Sequence, residues 1–338
     1  MSTIFLTGAS GYVGGQILKE LTRSHPSLNV TVLVRDSKIA ERISTLYPRA
    51  RAVIGSLDNT ELVEQEASKA AIVLNAASNK HMDGAKAIYR GISKRDSPAY
   101  WIQISGASAL AVKDLSSPSY DVGLESSTVY DDLDGVGVIR SLIRAHPVRA
   151  MDNYVLDASK NTPSVKTALV LPPIIYGKGE GPGNQRSIQI PSLARVTLEK
   201  GHVVRAGRGL NRWGSIHVAD VARIFTGLAL EASKGNQDDA LWNDNGIYLA
   251  NSGEMSFAEI SERVSQAARE KGLIQSAEVE ELSKAESDKV LPGGSVFFGS
   301  NARGESRRAT ALFGWKPEEE SLEAEIPRAV AEEASNRG

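Results

Sequence analysis

The sequence predicts an α/β fold in which a doubly wound parallel sheet is followed by a smaller C-terminal lobe. Two observations predict it. Short apolar runs alternate with helical patterns through the first half of the chain, and a glycine-rich turn from Gly8 to Gly14 separates the first apolar run from the first helical pattern. Apolar runs without polar alternation are typical of strands that helices cover on both faces.

Six apolar runs predict the strands of this sheet. The run at 30–34 is rich in β-branched residues, which favour strands, and the others are similarly short and apolar. The runs span residues 4–7, 30–34, 51–54, 71–75, 100–105 and 167–171. Helical patterns at 16–23, 61–69 and 84–94 lie between the early runs. This alternation predicts parallel strands joined by helices.

The second half of the chain begins with a loop at 177–184, where five of eight residues are glycine or proline. Beyond it we predict helices at 189–200, 219–233 and 257–271, and a strand at 246–250. Ser256 and Glu259 form a predicted capping box for the third of these helices. An acidic helix at 278–285 and a charged helical tail at 318–337 complete the chain. We place one domain at 1–176 and a lobe at 177–338, with segments around 215–250 returning to the first domain.

Composition narrows the classes of function. The chain has 338 residues, 24% of them charged, and a net charge of −2, which gives no sign of a nucleic-acid or membrane partner. It contains no cysteine, so disulfides, thiolate metal sites and thiol nucleophiles are excluded. The five histidines lie far apart in the sequence, and we expect no metal site. No apolar segment approaches the length of a membrane span, and the first residues do not resemble a secretory signal; we expect a cytoplasmic protein.

The glycine turn has the spacing Gly-x-x-Gly-x-x-Gly and lies between a strand and a helix. Glycines let the backbone approach a pyrophosphate closely, and the helix N-terminus offers free N–H donors. This context predicts a Rossmann dinucleotide-binding domain in residues 1–176, with the C-terminal lobe binding the substrate. The predicted cofactor-binding residues of the turn are Gly8, Ser10, Gly11, Tyr12, Val13 and Gly14.

Arg35 indicates which dinucleotide binds. It ends the second strand, 21 residues after Gly14, where the adenosine ribose lies in this fold. A guanidinium suits the 2′-phosphate of NADP(H), and the Ser10 hydroxyl could add a donor. In the alternative interpretation, Asp36 binds the ribose diol of NAD(H) and Arg35 points into solvent. We predict NADP(H), with NAD(H) less favoured.

Several ordered motifs resemble those of the extended short-chain dehydrogenase/reductases, which include epimerase/dehydratase enzymes. They comprise the glycine turn, Val34–Arg35, Gly-Ser-Leu-Asp at 55–58 and Leu-Asn-Ala-Ala at 74–77 in the first half, and segments 171–177, 212–221 and 313–317 in the second. The resemblance implies that Leu57 and Asp58 contact adenine and that Ala76 and Ala77 line the ribose and pyrophosphate path. It also implies that Pro172 lies beside the cofactor.

The catalytic pair of that family is missing. Its members use Tyr-x-x-x-Lys on one helix, where the lysine lowers the pKa of the phenol and holds the nicotinamide ribose. No such pair occurs in the expected interval of this chain. Counting back from Pro172 puts the lysine position at Arg149, whereas counting forward from Ser105 puts the tyrosine position near Tyr130.

Three explanations stay open. In the first, the site is rebuilt: Arg149 holds the ribose, Tyr130 or His146 carries the proton, and Ser105 or Ser108 polarises a carbonyl. This predicts an NADP(H)-dependent oxidoreductase or epimerase/dehydratase-type enzyme acting on a small polar carbonyl or alcohol. In the second, the protein binds NADPH without turnover, as a sensor. In the third, it catalyses a reaction that needs no phenolate. His146 could equally be a solvated loop residue, and Tyr130 a surface aromatic.

The substrate side is less specific. Asn184 and Gln189 lie in or just after the glycine-rich loop, and their amides would suit a polar ligand. Arg212 could grip a diphosphate, as in a nucleotide-sugar epimerase, and Trp213 could stack on a flat ligand. His217 and Asp220 are expected to be structural. Members of the resembled family often dimerise, so a homodimer is possible.

Overall fold

The computed structural model describes residues 2–336. Its strands are β1 (Thr3–Thr7), β2 (Asn29–Val34), β3 (Arg51–Ile54), β4 (Ile72–Asn75), β5 (Ala99–Ile104), β6 (Tyr130–Asp131), β7 (Val165–Leu171), β8 (Ile174–Tyr176), β9 (Val203–Ala206), β10 (Arg212–His217), β11 (Ile247–Leu249), β12 (Gly253–Ser256), β13 (Val279–Leu282) and β14 (Gly304–Glu305). The predicted runs of the first half each coincide with one of these strands to within one or two residues.

The α-helices are α1 (Tyr12–Ser24), α2 (Ser37–Leu46), α3 (Thr60–Lys69), α4 (Met82–Ile92), α5 (Val112–Leu115), α6 (Val136–Arg144), α7 (Ala150–Asn161), α8 (Gln189–Lys200), α9 (Val218–Ser233), α10 (Phe257–Glu270), α11 (Lys284–Val290), α12 (Gly294–Phe297), α13 (Arg308–Phe313) and α14 (Leu322–Ser335). Short 3₁₀ turns occur at Ala107–Ala109, Pro147–Arg149 and Asn243–Asn245.

Seven strands form the central sheet in the order β11-β7-β5-β4-β1-β2-β3, and every neighbouring pair is parallel. Successive strands extend one way from β1 through β2 and β3, and the other way from β4 through β5. The order therefore reverses between β1 and β4, and the carboxyl ends of these two strands border the crevice where ligands bind in such sheets. This architecture confirms the predicted doubly wound Rossmann fold.

Two apolar clusters cover the two faces of the sheet. On one face α1 and α9 pack together, with Ile17, Leu21, Phe225 and Leu228 fully buried. On the other face α3 and α4 pack together around Val63 and Ile88, and this cluster continues into the C-terminal lobe. The sheet is thus covered on both sides, which explains why its strands lack polar alternation.

The C-terminal lobe is built from α8, α10 and α14, which pack against one another and enclose Ile260 and Ile326. The three-stranded sheet β12-β10-β8 joins this lobe to the central domain. Strand β11 and helix α9, although late in the chain, belong to the central domain, because β11 pairs with β7 and α9 packs on α1. Among the helices in residues 2–336, none is long and apolar enough to cross a membrane.

Three predictions about the second half have clear outcomes. The capping box at the start of α10 is confirmed, with Ser256 accepting from the Glu259 N–H and the Glu259 carboxylate accepting from the Ser256 N–H. The acidic helix predicted at 278–285 is wrong, because residues 279–282 form β13 and pair in parallel with β9. Helix α14 begins at Leu322, later than the predicted tail, and Arg337 lies outside the described residues.

Candidate functional site: a dinucleotide cleft beside an arginine–serine cluster

The glycine turn connects β1 to α1, and within it the backbone of Gly14 packs closely against the carbonyl of Gly8. Gly8 has φ +84°, a left-handed conformation that glycine adopts without strain, and its carbonyl accepts the Gly11 N–H at 2.8 Å. A Cβ on Gly14 would lie 2.1 Å from the Gly8 oxygen. Only glycine fits at that position while the turn keeps its shape. The backbone therefore leaves the open N-terminus of α1 facing the crevice, as a pyrophosphate requires.

A cleft of about 290 Å³ opens beside this turn, at the carboxyl ends of β1, β2 and β4. It is lined by Thr7, Gly8, Ser10, Gly11, Leu33, Val34, Arg35, Gly55, Ser56, Leu57, Asp58, Ala76, Ala77, Ser78 and His81. These include eight of the predicted cofactor residues. Tyr12, Val13 and Gly14 are not in its lining and shape the adjoining start of α1.

Arg35 and its neighbour Asp36 have different roles. Arg35 lines the cleft and is exposed, and within residues 2–336 its guanidinium forms no hydrogen bond or ion pair. Asp36 is outside the cleft lining and caps α2, with its carboxylate accepting the Lys38 N–H at 2.8 Å. The cleft thus presents an unpaired cation and not a carboxylate at the end of β2.

His81, which the sequence analysis did not single out, holds Asp58 in place. Its Nε2 lies 2.9 Å from Asp58 Oδ1, and its Nδ1 accepts the Gly84 N–H at 3.0 Å, so the ring proton resides on Nε2. Ser56 Oγ donates to the other Asp58 oxygen at 3.0 Å. Hydrogen bonds from His81 and Ser56 lower the pKa of Asp58 below its ordinary value. Asp58 is therefore an ordered carboxylate at the rim of the cleft.

A buried polar network supports the loop that carries Ala76 and Ala77. Asn75 is 1% exposed, accepts from Thr7 Oγ1 at 2.5 Å and donates to Gln103 Oε1 at 2.7 Å. Gln103 donates in turn to the Ser78 carbonyl at 3.0 Å. These side chains come from three adjacent strands, so the network ties their carboxyl ends together beneath the cleft. The sequence pattern does not predict this network, because each of these polar residues lies in an otherwise apolar run.

Tyr12 links the glycine turn to the loop after β8. Its hydroxyl donates to the Gly177 carbonyl at 2.5 Å, and burial raises its pKa well above the ordinary value. Nearby, the Asn184 N–H donates to the Ser10 carbonyl at 2.9 Å. The Asn184 side chain itself closes a local turn with Arg186. The structure thus uses Tyr12 and Asn184 to dock the two parts of the protein on each other.

Arg149 is the centre of a second cluster, at the carboxyl end of β5. Its side chain is 11% exposed and donates from Nη2 to Ser105 Oγ at 2.7 Å and from Nη1 to Ser108 Oγ at 3.3 Å. Its Nε donates to Asp152 Oδ2 at 2.6 Å. Pro172 is buried beside this cluster, and its carbonyl accepts the Ala107 N–H at 2.9 Å. The predicted residues Ser105, Ser108 and Arg149 are therefore brought together.

Tyr130 and His146 are not joined to this cluster by any hydrogen bond in residues 2–336. Tyr130 lies on the two-residue strand β6, paired with β14, and burial and the Asp114 charge raise its pKa. A catalytic phenol needs a neighbouring cation that lowers its pKa, and Tyr130 has the opposite environment. The half-buried His146 precedes the 3₁₀ turn, and only its backbone takes part in hydrogen bonds.

The proposed substrate residues have structural partners. Gln189 donates to the Phe297 carbonyl at 2.8 Å. Arg212 contacts Glu254 at 2.8 Å and Glu259 at 3.4 Å. Trp213 is 2% exposed, and its Nε1 donates to the Ser300 carbonyl at 2.6 Å. Stacking on a flat ligand needs an accessible ring face, which the buried Trp213 does not offer.

His217 and Asp220 have the structural roles expected of them. His217 caps α9 by accepting the Ala219 N–H at 3.2 Å. Asp220 is 1% exposed and accepts the Glu318 N–H at 2.9 Å, which fastens the segment before α14 to α9. Within residues 2–336, no three His, Cys, Asp or Glu side chains form a group that could hold a metal ion.

The comparisons with known proteins agree with this geometry. Residues 8–115 match a family described as NAD(P)H-binding. The oxidase ucsJ of an Acremonium species is 32% identical over 344 residues, covering 99% of this chain and 98% of ucsJ. The chain belongs to the same family as this oxidase.

Solved structures of a dehydratase and an epimerase share the whole fold at low sequence identity. A dTDP-glucose 4,6-dehydratase from Bacillus anthracis superimposes with a TM-score of 0.66 at 15% identity, covering 99% of this chain and 97% of that chain. A UDP-glucuronic acid 4-epimerase from Bacillus cereus superimposes with a TM-score of 0.64 at 14% identity, covering 99% of both chains. The family match confirms the predicted binding of a nicotinamide dinucleotide, and the similarity to an oxidase agrees with the predicted enzyme.

Proposed function

We propose that this protein is an NADP(H)-dependent oxidoreductase of the extended short-chain dehydrogenase/reductase type, acting on a small polar carbonyl or alcohol. The observation that carries the proposal is that Arg149 donates to both Ser105 and Ser108 beside the crevice. A guanidinium can only donate, so each serine oxygen that accepts from it keeps its own O–H free to donate elsewhere. Two hydroxyls oriented in this way are suited to hold a substrate oxygen.

This arrangement would supply part of what the missing tyrosine and lysine supply. When hydride reaches a carbonyl carbon, negative charge develops on the oxygen, and oriented donors next to a fixed cation stabilise it. The bound dinucleotide would provide or accept the hydride. Arg149 has no part in the proton transfer; its role is to orient the serines and to place positive charge beside the substrate oxygen.

The preference for NADP(H) is supported by the end of β2. Arg35 lines the cleft without a partner in the described residues, while Asp36 is engaged in capping α2. An NAD-type site would place a carboxylate where the ribose hydroxyls lie. The glycine turn, with no room for a Cβ on Gly14, fits the pyrophosphate of either dinucleotide.

The ion pairs of Arg212 favour a small substrate over a nucleotide sugar. The epimerase and dehydratase relatives are solved with nucleotide sugars or NAD, and a diphosphate needs unpaired cations. Arg212 is paired with Glu254 and Glu259, and Glu254 also contacts Arg303 at 3.0 Å. A diphosphate would have to compete with two carboxylates for that guanidinium.

Titration of the purified protein with NADPH and NADH tests the cofactor assignment. Loss of a charge-assisted hydrogen bond costs about 1.5–3 kcal/mol, so Arg35→Ala should weaken NADPH binding roughly 10- to 150-fold. Its NADH affinity should stay within about twofold of the wild type. Asp36→Ala is the matched control, and it should leave the preference for NADPH intact. An unchanged NADPH affinity in Arg35→Ala would contradict the assignment.

Turnover is tested by following NADPH absorbance with a panel of small aldehydes and ketones, and NADP⁺ reduction with the matching alcohols. The wild type should convert at least one of them, and Ser105→Ala should lower kcat at least tenfold while NADPH still binds. A protein that binds NADPH tightly but converts none of these compounds would favour the silent sensor.

A further inference from the structure

Asp152, which belongs to no motif in the sequence, lies directly beneath Arg149. It occupies the first turn of α7, and its side chain is 2% exposed. Oδ2 is held by Arg149, but Oδ1 is fully buried and has no hydrogen-bond partner among residues 2–336. A buried carboxylate oxygen without a donor is costly, and such atoms in a native site call for a functional explanation.

Ser105 is the group that can reach both this carboxyl and a substrate. One lone pair of its oxygen is taken by Arg149 Nη2, so its O–H is free to donate either to the Asp152 carboxylate or to a substrate oxygen. Arg149 Nη2 contacts both Ser105 Oγ, at 2.7 Å, and Asp152 Oδ2, at 2.5 Å, so the hydroxyl and the carboxyl are neighbours on the same nitrogen. Ser105 accordingly stabilises the charged form of the carboxyl and lowers its pKa. It also lies at the carboxyl end of β5, 7% exposed, at the edge that borders the crevice.

We propose that Asp152 is a positioning residue that exchanges a proton with the substrate through Ser105. The inference rests on the oxidoreductase function proposed above. During oxidation of an alcohol, the substrate O–H bond breaks and its proton passes to Ser105 Oγ, while the proton of Ser105 passes to the Asp152 carboxylate, which becomes a carboxylic acid. The electron pair of the substrate C–H bond leaves as hydride, which the nicotinamide dinucleotide takes up. Reduction of a carbonyl reverses each transfer, and the protonated Asp152 carboxyl then supplies the net proton.

The charges around α7 suit this role. Arg149 is the charged group that faces Asp152, and it holds the carboxyl without covering Oδ1. The neighbouring helices present their cations to other acids: Arg144 of α6 pairs with Asp157 at 2.8 Å, and Arg90 of α4 pairs with Glu64 at 2.6 Å. Burial raises the pKa of Asp152, while Arg149 and Ser105 oppose the rise. A carboxyl whose pKa is raised can both take up and return a proton closer to neutral pH.

The test needs no substrate in its first part. Carboxyl ¹³C NMR of the full-length protein without cofactor follows the titration of Asp152, with Asp152→Asn used to assign its signal. If that variant does not fold, Asp152→Glu assigns the signal by moving it to the glutamate region. We expect the wild-type pKa to lie above the ordinary value of 3.8 and to rise further in Ser105→Ala, because the hydroxyl no longer stabilises the carboxylate.

Ser108→Ala is the matched control, since Ser108 contacts Arg149 and not Asp152. It should leave the Asp152 titration unchanged. An ordinary pKa, or an equal response to Ser105→Ala and Ser108→Ala, would overturn the inference. This outcome does not depend on turnover, so it is distinct from failure of the oxidoreductase proposal.

The second part uses whichever carbonyl the wild type reduces. Asp152→Asn keeps an oxygen for Arg149 but cannot carry the proton, so kcat should fall about 100-fold, within the range of general acid–base effects, while KM changes little. The limb of the wild-type pH–rate profile that reports this group should disappear. An Asp152→Asn variant with the wild-type pH profile would overturn the relay, whereas a change in KM alone would show a merely structural role.

Discussion

Gly14→Ala gives the sharpest test of how the turn creates the cofactor site. A Cβ at this position would lie 2.1 Å from the oxygen and 2.5 Å from the carbon of the Gly8 carbonyl. Ordinary van der Waals contact begins near 3.4 Å, so the two backbone segments must separate by more than 1 Å. Both segments are anchored, Gly8 by the end of β1 and Gly14 by α1, and neither is a flexible side chain that can move aside.

The expected cost follows from that rigidity. Overpacking of a closely packed interior costs about 1–3 kcal/mol, and we expect the free energy of unfolding of Gly14→Ala to fall by about 2–3 kcal/mol in urea titrations. Displacement of the turn also moves the N–H groups that would meet the pyrophosphate, so NADPH affinity should fall at least tenfold.

Gly137→Ala in α6 is the matched control. The nearest atom to its added Cβ would be Arg140 Nη2 at 3.8 Å, so the methyl group meets no obstacle. Alanine is the better helix former, and this variant should gain about 0.5–1 kcal/mol of stability with unchanged NADPH binding. If Gly14→Ala matched the wild type in both stability and NADPH affinity, the steric reasoning for the turn would be refuted.

Two further predictions concern Tyr130 and His217. Tyr130→Phe should keep kcat within about twofold of the wild type on any carbonyl that the protein reduces, because burial and Asp114 raise the pKa of this phenol and no cation activates it; a loss of 100-fold or more would reinstate it as the proton carrier. Burial lowers the pKa of His217 in the folded protein, so the unfolded chain binds the imidazole proton more tightly. The neutral imidazole therefore favours the folded state above the ordinary pKa of 6.5, and this stabilisation is lost as the pH falls from 6.5 through the folded-state pKa. The free energy of unfolding in urea should fall between pH 8 and pH 5 in the wild type and should fall less in His217→Asn, where the amide caps α9 without titrating. An equal fall in the two proteins would contradict this role of His217.

Local patterns in the sequence were sufficient for the central domain. The strands of the first half, the glycine turn before α1 and the capping box of α10 depend on residues that are neighbours in the chain. Their physical signals are short-range: strand runs without alternation, a glycine spacing, and a serine three residues before a glutamate. The same signals were weaker in the C-terminal lobe, where β13 forms from an acidic stretch only because β9 lies beside it.

The candidate site depends on contacts that the sequence does not encode locally. Ser105 and Arg149 are 44 residues apart, and the sequence suggested both without showing that they touch. Asp152 carries no signal in its helical pattern, and its burial and its unpartnered oxygen arise only when α7 packs against β7 and Arg149 meets Ser105. Trp213, read from sequence as a ligand-stacking residue, is taken into the core of the lobe.

The sequence by itself therefore determined the Rossmann domain, the position of the dinucleotide turn and the absence of the Tyr–Lys pair. Only the tertiary structure decided what stands near the crevice instead: an arginine that orients two serines above a buried carboxyl. The physical reason is that periodicity reports which face of an element is buried, whereas hydrogen bonding and pKa depend on which partners that face meets.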